Sequence, residues 1–453
     1  MAEHSGGTVL VLTNRLDPTA DLVVDHLNHR GVPVFRCDTA EFPTEITLSA
    51  TLANGWAGTA ALVEVRARLL RERLVEELEQ DGSLRTEPWR KALRAVPRHA
   101  FLPTFLADAL DERGVTTYRV VSHEASPEEW LRLAYANRTW VTQLDYGATL
   151  PTDGAPVTGT PTSSSTLPST VVRMLEDLDV QDGHSVLEVG TGTGYSTALL
   201  CARLGDRRVT SVEYDAGLSA ADAKRLGTLG FRPALVVGDG ALGHPDRAPY
   251  QRIIATYSPD TVSPAWLAQA DHDAVLLLSL TGALGAYGYV KLRMFGDGRA
   301  EGRFVDSVVS FMPSRESSPP EIGPMMRAAI AGRAATTGRA TRVAAEVLDD
   351  PAFLWAAQLA LPGMIRLRYS AASEVTGRWF LHPDGSWAVV EADAAGTGRL
   401  YEGGTRPLGS NLEAVMASWL SNGQPGLGRY GLTVTPQANV VWLDDPAGDS
   451  WTL

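Results

Sequence analysis

The sequence predicts an α/β fold: a parallel β-sheet with helices on both faces, extended at each end by smaller pieces. Three observations predict it. Between residues 170 and 300, short apolar runs alternate with segments of helical period. A glycine loop, "LEVGTGTGY" at 187–195, joins the first apolar run to the first of those helices, and that turn is where parallel sheets bind ligands. The chain has 453 residues, more than one ordinary domain of roughly 100–200.

Residues 8–36 read as strand, helix, strand: "TVLVL", then a helix carrying Leu22, Val23 and Leu27 and stopping at Gly31, then "VPVFR". Residues 1–57 are therefore a short β-α-β appendage. From about 60 to 112 the chain reads as helical, with apolar residues at helical spacing among charges. Residues 58–150 form this helical lead-in plus a mixed substrate-site segment. "PTDGAPVTGTPTSSSTLPS", 151–169, is rich in Pro, Thr, Ser and Gly; it reads as a flexible linker or as an ordered active-site loop. In the core, 151–315, "SVLEVG", "RVTSVEYD", "PALVVGDG", "YQRIIATYSP" and "DAVLLLSL" are strands. "STVVRMLEDLDV", "TGYSTALLCARLG" and "GLSAADAKRLGTLG" are the helices between them. "YGYVKLRMF" and "EGRFVDSVVSFMP" follow as antiparallel edge strands, and a break at 313–324 reads as a linker. Residues 325–453 read as a separate α+β domain, beginning with an Ala- and Arg-rich helix and carrying a hairpin at "HPDGS".

The net charge of −13 argues against a general nucleic-acid or anionic-membrane binder. Two far-separated cysteines, Cys37 and Cys201, make neither a disulfide framework nor a zinc site. No apolar run is long enough to span a bilayer, and the N-terminus lacks signal-peptide features, so a cytoplasmic location is expected. His26 and His29 sit three apart with no acid or cysteine cluster beside them, and no metal site is expected. Trp89, Trp140, Trp355 and Trp379 lie in or beside apolar patterns and read as core or groove.

The loop spacing is neither the G-x-G-x-x-G dinucleotide fingerprint nor a P-loop. Glu188-x-Gly190-x-Gly192-x-Gly194 resembles motif I of class I S-adenosyl-L-methionine-dependent methyltransferases, a Rossmann-like fold. Glycines let backbone approach a ligand, and the acid suits a cofactor with cationic groups. The next strand ends in Glu213, expected at the ribose hydroxyls, with Asp215 the weaker alternative. The third ends in Gly238-Asp239-Gly240, expected at the adenine. The resemblance implies a cofactor site of Glu188, Gly190, Thr191, Gly192, Gly194, Tyr195, Glu213, Tyr214, Gly238, Asp239 and Gly240, yielding S-adenosyl-L-homocysteine as by-product.

"ALRAVPRHAFLP" at 92–103, "LPSTVVRMLEDLDVQDG" and "VVGDG…PYQRIIAT" are similar to the protein-L-isoaspartate O-methyltransferase family over roughly residues 60–300. In that family a serine lines the acceptor-carboxylate site. Counting back from Pro168 sets Thr166 at its place, with Ser163, Ser164 and Ser165 beside it. Arg138, Gln143 and Ser169 are expected to contact the peptide, with core packing an equal reading for Arg138 and Gln143. The implied chemistry is simple. An aspartyl carboxylate, with a pKa near ~3.9, is already a nucleophile at neutral pH, so orientation suffices. The methyl ester then lets the next backbone nitrogen attack and expel methanol, leaving a succinimide (aspartimide).

Two flanking pieces direct the expectation from damage repair to peptide maturation. The 325–453 extension resembles that of methyltransferases encoded with ribosomal-peptide maturation systems. "VLVLTNRLDPTADLVVDHLNHRGVPVFRCDTAEFP" resembles the opening of graspetide ATP-grasp ligases; no ligase body follows, so no ATP use is expected. The resemblance implies an aspartimide-forming methyltransferase acting on an Asp of a crosslinked ribosomal precursor peptide. Arg327, Arg333, Arg339 and Arg342 either help to bind an acidic peptide or form a solvated helix face. Isoaspartyl repair and a non-catalytic cofactor-binding scaffold are the alternatives.

Overall fold

The computed structural model describes residues 9–13, 34–38, 57–111, 115–148, 155–315, 321–343, 346–370, 376–392 and 398–453. They belong to two units, Met1–Leu62 and Val63–Leu453. In the first, β1 (Val9–Thr13) pairs in parallel with β2 (Val34–Asp38). The helix expected between them, with His26 and His29, lies outside the described residues.

Helices Ala57–Gln80 and Glu87–Ala95 form the lead-in. The helical run expected to reach about 112 ends at Ala95, because Pro97 and Pro103 bias the residues before them away from helix. The chain then enters β3 (Thr104–Leu110), which pairs antiparallel with β4 (Thr116–Ser122). After the helix Pro127–Ala134 come β5 (Trp140–Leu144) and β6 (Pro161–Ser165), completing a four-stranded sheet in the order β4-β3-β5-β6. Within the 151–169 stretch, residues 161–165 are thus a strand rather than a linker, and residues 151–154 lie outside the described residues. Ser163 and Ser165 are buried while Ser164 points the other way, the two-residue alternation of a strand.

The main sheet begins after the helix Pro168–Asp177 with β7 (Val186–Val189), buried at all four positions, as a strand covered on both faces must be. Then come β8 (Val209–Glu213), β9 (Ala234–Val237), β10 (Tyr250–Ala255), β11 (Ala270–Thr281), β12 (Tyr287–Met294) and β13 (Ala300–Phe304). Strands β11-β10-β7-β8-β9 are parallel; β12 and β13 add antiparallel. A six-residue helix, Pro264–Gln269, precedes β11 and is too short to show a period in the sequence.

The C-terminal part differs from the expectation. After the helix Ile322–Ala334, β14 (Arg339–Ala340), β15 (Ile365–Ser370), β16 (Thr376–Leu381), β17 (Trp387–Ala392) and β18 (Gly398–Gly403) make their own antiparallel sheet. But β19 (Tyr430–Val434), β20 (Asn439–Leu443) and β21 (Ser450–Thr452) continue the main sheet, β19 pairing with β13 from Ala300↔Val434 to Arg303↔Gly431. The result is ten strands, β21-β20-β19-β13-β12-β11-β10-β7-β8-β9. Phe353, Trp355, Trp419 and Leu432 share one core with Leu278 and Leu292. A separate domain would leave the edge of β13 unpaired, a liability that the β19 pairing removes. The other face of the sheet packs Leu74, Trp89, Phe105 and Trp140 against Leu175, Leu199 and Leu277. Trp89, Trp140, Trp355 and Trp379 are all buried core residues. Among the described residues no helix is long and apolar enough to cross a membrane.

Candidate functional site

The glycine loop emerges from β7 with Gly190, Gly192 and Gly194 at φ of +100°, +61° and +82°, a region that side chains rarely adopt. A Cβ on Gly190 would also stand 2.7 Å from Thr256 Oγ1. Gly194 then starts the helix Tyr195–Leu204. The loop is fastened from the next strand: Gly192 N–H donates to Glu213 Oε2 (2.9 Å), and Asp215 N–H donates to Glu213 Oε1 (3.0 Å). Each Glu213 oxygen retains a second lone pair, and the carboxylate lines the cleft beside the loop.

That cleft has a volume of about 320 Å³. Gly190, Gly192, Glu213, Tyr214, Asp239 and Gly240 supply one wall from the ends of β7, β8 and β9. Asp239 caps the following turn by accepting from Ala241 N–H at 2.8 Å. Gly240 is required by space: a Cβ there would lie 2.4 Å from Val189 Cγ1. Ser163, Ser164 and Thr166 form the opposite wall, and Phe311–Arg315 close over it. A smaller annexe of about 50 Å³ opens between Ser164, Ser165 and Thr166 on one side and Gly190, Thr191, Gly192 and Tyr195 on the other. Ser164 and Thr166 border both cavities. The lining residues include no His, Lys or Cys, and their carboxylates, Glu213 and Asp239, each accept backbone N–H groups.

Several expected residues are elsewhere. Glu188 does not line the cleft. It is fully buried behind the loop, accepts from Thr197 Oγ1 and Ser211 Oγ, and burial raises its pKa. Tyr195 and Thr191 touch only the annexe; Tyr195 packs on Phe101, and burial pushes its phenol up to about 12. Gly238 lies in the turn, with its N–H on Glu213 O. Arg138 is exposed over the Trp140 ring and pairs with Asp108. Ser169 offers its N–H to Asn137 Oδ1 and is outside both cavities. Gln143 acts from behind the wall, donating to Asp215 Oδ2 at 3.1 Å and accepting from Thr162 Oγ1 at 2.8 Å.

Two arginines were not singled out by the sequence. Arg315, in the stretch read as a linker, donates to Asp215 Oδ2 (3.0 Å), Gln143 Oε1 (2.9 Å) and Thr162 O (2.8 Å). It ties the end of β8 to the β5–β6 wall. Asp215 is partly desolvated, but hydrogen bonds from Gln143, Leu218 N–H and Arg315 outweigh that and hold it at about 2. Arg98, inside "AVPRHAFLP", is completely buried beneath Ser165 and Thr166. Of the C-terminal arginines, Arg333 pairs with Glu391 and Arg339 with Glu413, while Arg327 and Arg342 are exposed.

Residues 151–286 match a family described as Protein-L-isoaspartate(D-aspartate) O-methyltransferase. A protein-L-isoaspartate O-methyltransferase from Rhodospirillum rubrum is 36% identical over 162 residues, 35% of this chain and 71% of that protein. One from Pyrobaculum neutrophilum is 30% identical over 249 residues, 54% of this chain and 99% of that protein. Protein-L-isoaspartate O-methyltransferase 1 of Archaeoglobus fulgidus is 32% identical over 202 residues, 72% of its length. With those relatives spanned along most of their length, the chain belongs to the protein-L-isoaspartate O-methyltransferase family.

Proposed function

We infer that the chain is an S-adenosyl-L-methionine-dependent protein carboxyl O-methyltransferase, and that its acceptor is an aspartyl-type side chain in a peptide. The observation that carries this is the facing pair of walls: hydroxyls of Ser164 and Thr166 opposite a positive-φ glycine loop. The residues fit the cofactor. Glu213 keeps free lone pairs toward a diol, Asp239 stands at the next strand end, and the loop glycines leave room where a Cβ would intrude. When bound, S-adenosyl-L-methionine supplies an electrophilic methyl group, which a carboxylate oxygen takes while the C–S electron pair stays on sulfur. Thr166 and Ser164 donate hydrogen bonds that hold the acceptor carboxylate, orienting one oxygen toward the loop. No proton moves, because the acceptor is ionised at neutral pH.

The finer reading is methylation of an L-Asp in a crosslinked ribosomal peptide, followed by ring closure to aspartimide with loss of methanol. It is supported by the large body added to the methyltransferase core: a second sheet, and three strands that extend the first. The names of the relatives favour the second reading, isoaspartyl methylation. Mass spectrometry separates them. With cofactor and a crosslinked precursor, the first predicts an ester about 14 Da heavier that decays to a product about 18 Da lighter than the precursor. Turnover of isoaspartyl peptides alone rejects it.

A further inference from the structure

Arg98 has none of its surface exposed. Its guanidinium donates only to neutral oxygens: Ala134 O (2.9 Å), Ala136 O (2.8 Å), Arg138 O (3.0 Å), Thr166 O (3.3 Å) and Ser165 Oγ (3.4 Å). Among the described residues no carboxylate pairs with it, and Nε has no partner. Burial lowers its pKa to about 10, so at neutral pH it stays charged. A buried cation without a counter-ion is costly and is ordinarily paired. Here it lies directly behind Ser165 and Thr166, which line the annexe beside the glycine loop.

Resting on the carboxyl-methyltransferase reading, we propose that Arg98 is a positioning residue whose missing counter-ion is the acceptor carboxylate, reached through Ser165 and Thr166. Arg98 N–H occupies a lone pair of Ser165 Oγ, so the hydroxyl proton is left to donate into the annexe. The same guanidinium holds Thr166 O and fixes that residue's place at the wall. The cation polarises the Ser165 hydroxyl and favours an ionised ligand over a neutral one. Methyl transfer consumes the negative charge, so the contribution falls mainly on acceptor binding rather than on the chemical step.

The test uses the full-length chain saturated with S-adenosyl-L-homocysteine, whose sulfur is neutral. Calorimetry compares short peptides carrying L-aspartate or L-isoaspartate with the same peptides bearing the amide in place of the carboxylate. The wild type binds the carboxylate form about tenfold more tightly. Arg98→Met loses that preference and raises peptide KM by about tenfold with a much smaller change in kcat; Arg98→Lys, which keeps the charge, restores part of the preference. Ser165→Ala reads the relay without removing the buried cation and also weakens the preference, which covers the case of an Arg98→Met chain that does not fold. Equal binding of acid and amide by the wild type, or a preference unchanged in folded Arg98→Met or in Ser165→Ala, overturns the proposal. A wild type that methylates these peptides but shows no such preference overturns the role of Arg98 alone. One that methylates no carboxyl peptide overturns the parent reading, and this proposal with it.

Discussion

Replacing Glu213 by alanine tests the cofactor wall most directly. The carboxylate is 6% exposed and already accepts two backbone N–H groups, one from the glycine loop and one from Asp215. Its remaining lone pairs face the cleft, where a ribose diol would meet a charge-assisted acceptor. Losing one such bond costs about 2 kcal/mol, or roughly 30-fold in affinity. A second cost is separate. Gly192 N–H loses its partner, so a loop held at positive φ loses part of its support, and stability falls by about 1–2 kcal/mol. Glu213→Gln divides the two: it keeps the volume and one acceptor oxygen but turns an amide NH₂ toward a backbone donor. We expect S-adenosyl-L-homocysteine Kd to rise about 30-fold in Glu213→Ala and about tenfold in Glu213→Gln, measured by calorimetry, with melting curves recorded alongside. A folded Glu213→Ala chain with Kd unchanged would reduce Glu213 to a loop staple and refute its role at the cofactor.

Gly240→Ala puts a Cβ 2.4 Å from Val189 Cγ1; about 1–3 kcal/mol of overpacking is expected in denaturant unfolding, and an unchanged midpoint would show that the turn can shift. Arg315→Ala removes three hydrogen bonds that join the end of β8 to the β5–β6 wall. S-adenosyl-L-homocysteine should then dissociate several-fold faster in stopped flow, with a stability loss of about 1–3 kcal/mol because the ion pair is mostly buried; equal rates would dissociate the segment from ligand retention. Burial raises Asp222 to about 8 against the attraction of Arg225, and its Oδ2 is unpartnered beneath the loop. Its folded pKa lies above the unfolded value near ~3.9, so its stability contribution is full below that value and is lost as pH rises toward about 8. Asp222→Asn should therefore gain melting temperature relative to the wild type on going from about pH 5 to about pH 8. A constant difference would mean that the carboxyl stays ionised against Arg225.

What the sequence made legible was local. Short apolar runs and helical periods marked most elements of the parallel sheet, and the positive-φ loop at 190–194 was announced by its glycines. What it hid depends on partners distant along the chain. Residue 315 reads as linker because its contacts lie 100 and 172 positions away, at Asp215 and Gln143. The strand character of "SSS" was masked by polarity on both faces, which the fold resolves by giving Ser163 the Thr142 hydroxyl and Ser165 the Arg98 guanidinium. Which sheet edge β19 and β20 would join was not readable, since edge pairing is set by packing rather than by the strands themselves. Glu188 and Glu213 make the sharpest case. Both are acids at the ends of adjacent parallel strands, and both looked suited to the cofactor. Glu188 belongs to β7, flanked by β10 and β8, where Thr197 and Ser211 enclose it. Glu213 ends β8 and lines the open cleft. One acid is therefore sealed behind the loop against the next helix and strand, while the other fastens the loop and lines the cleft, a division made by neighbours rather than by residue type.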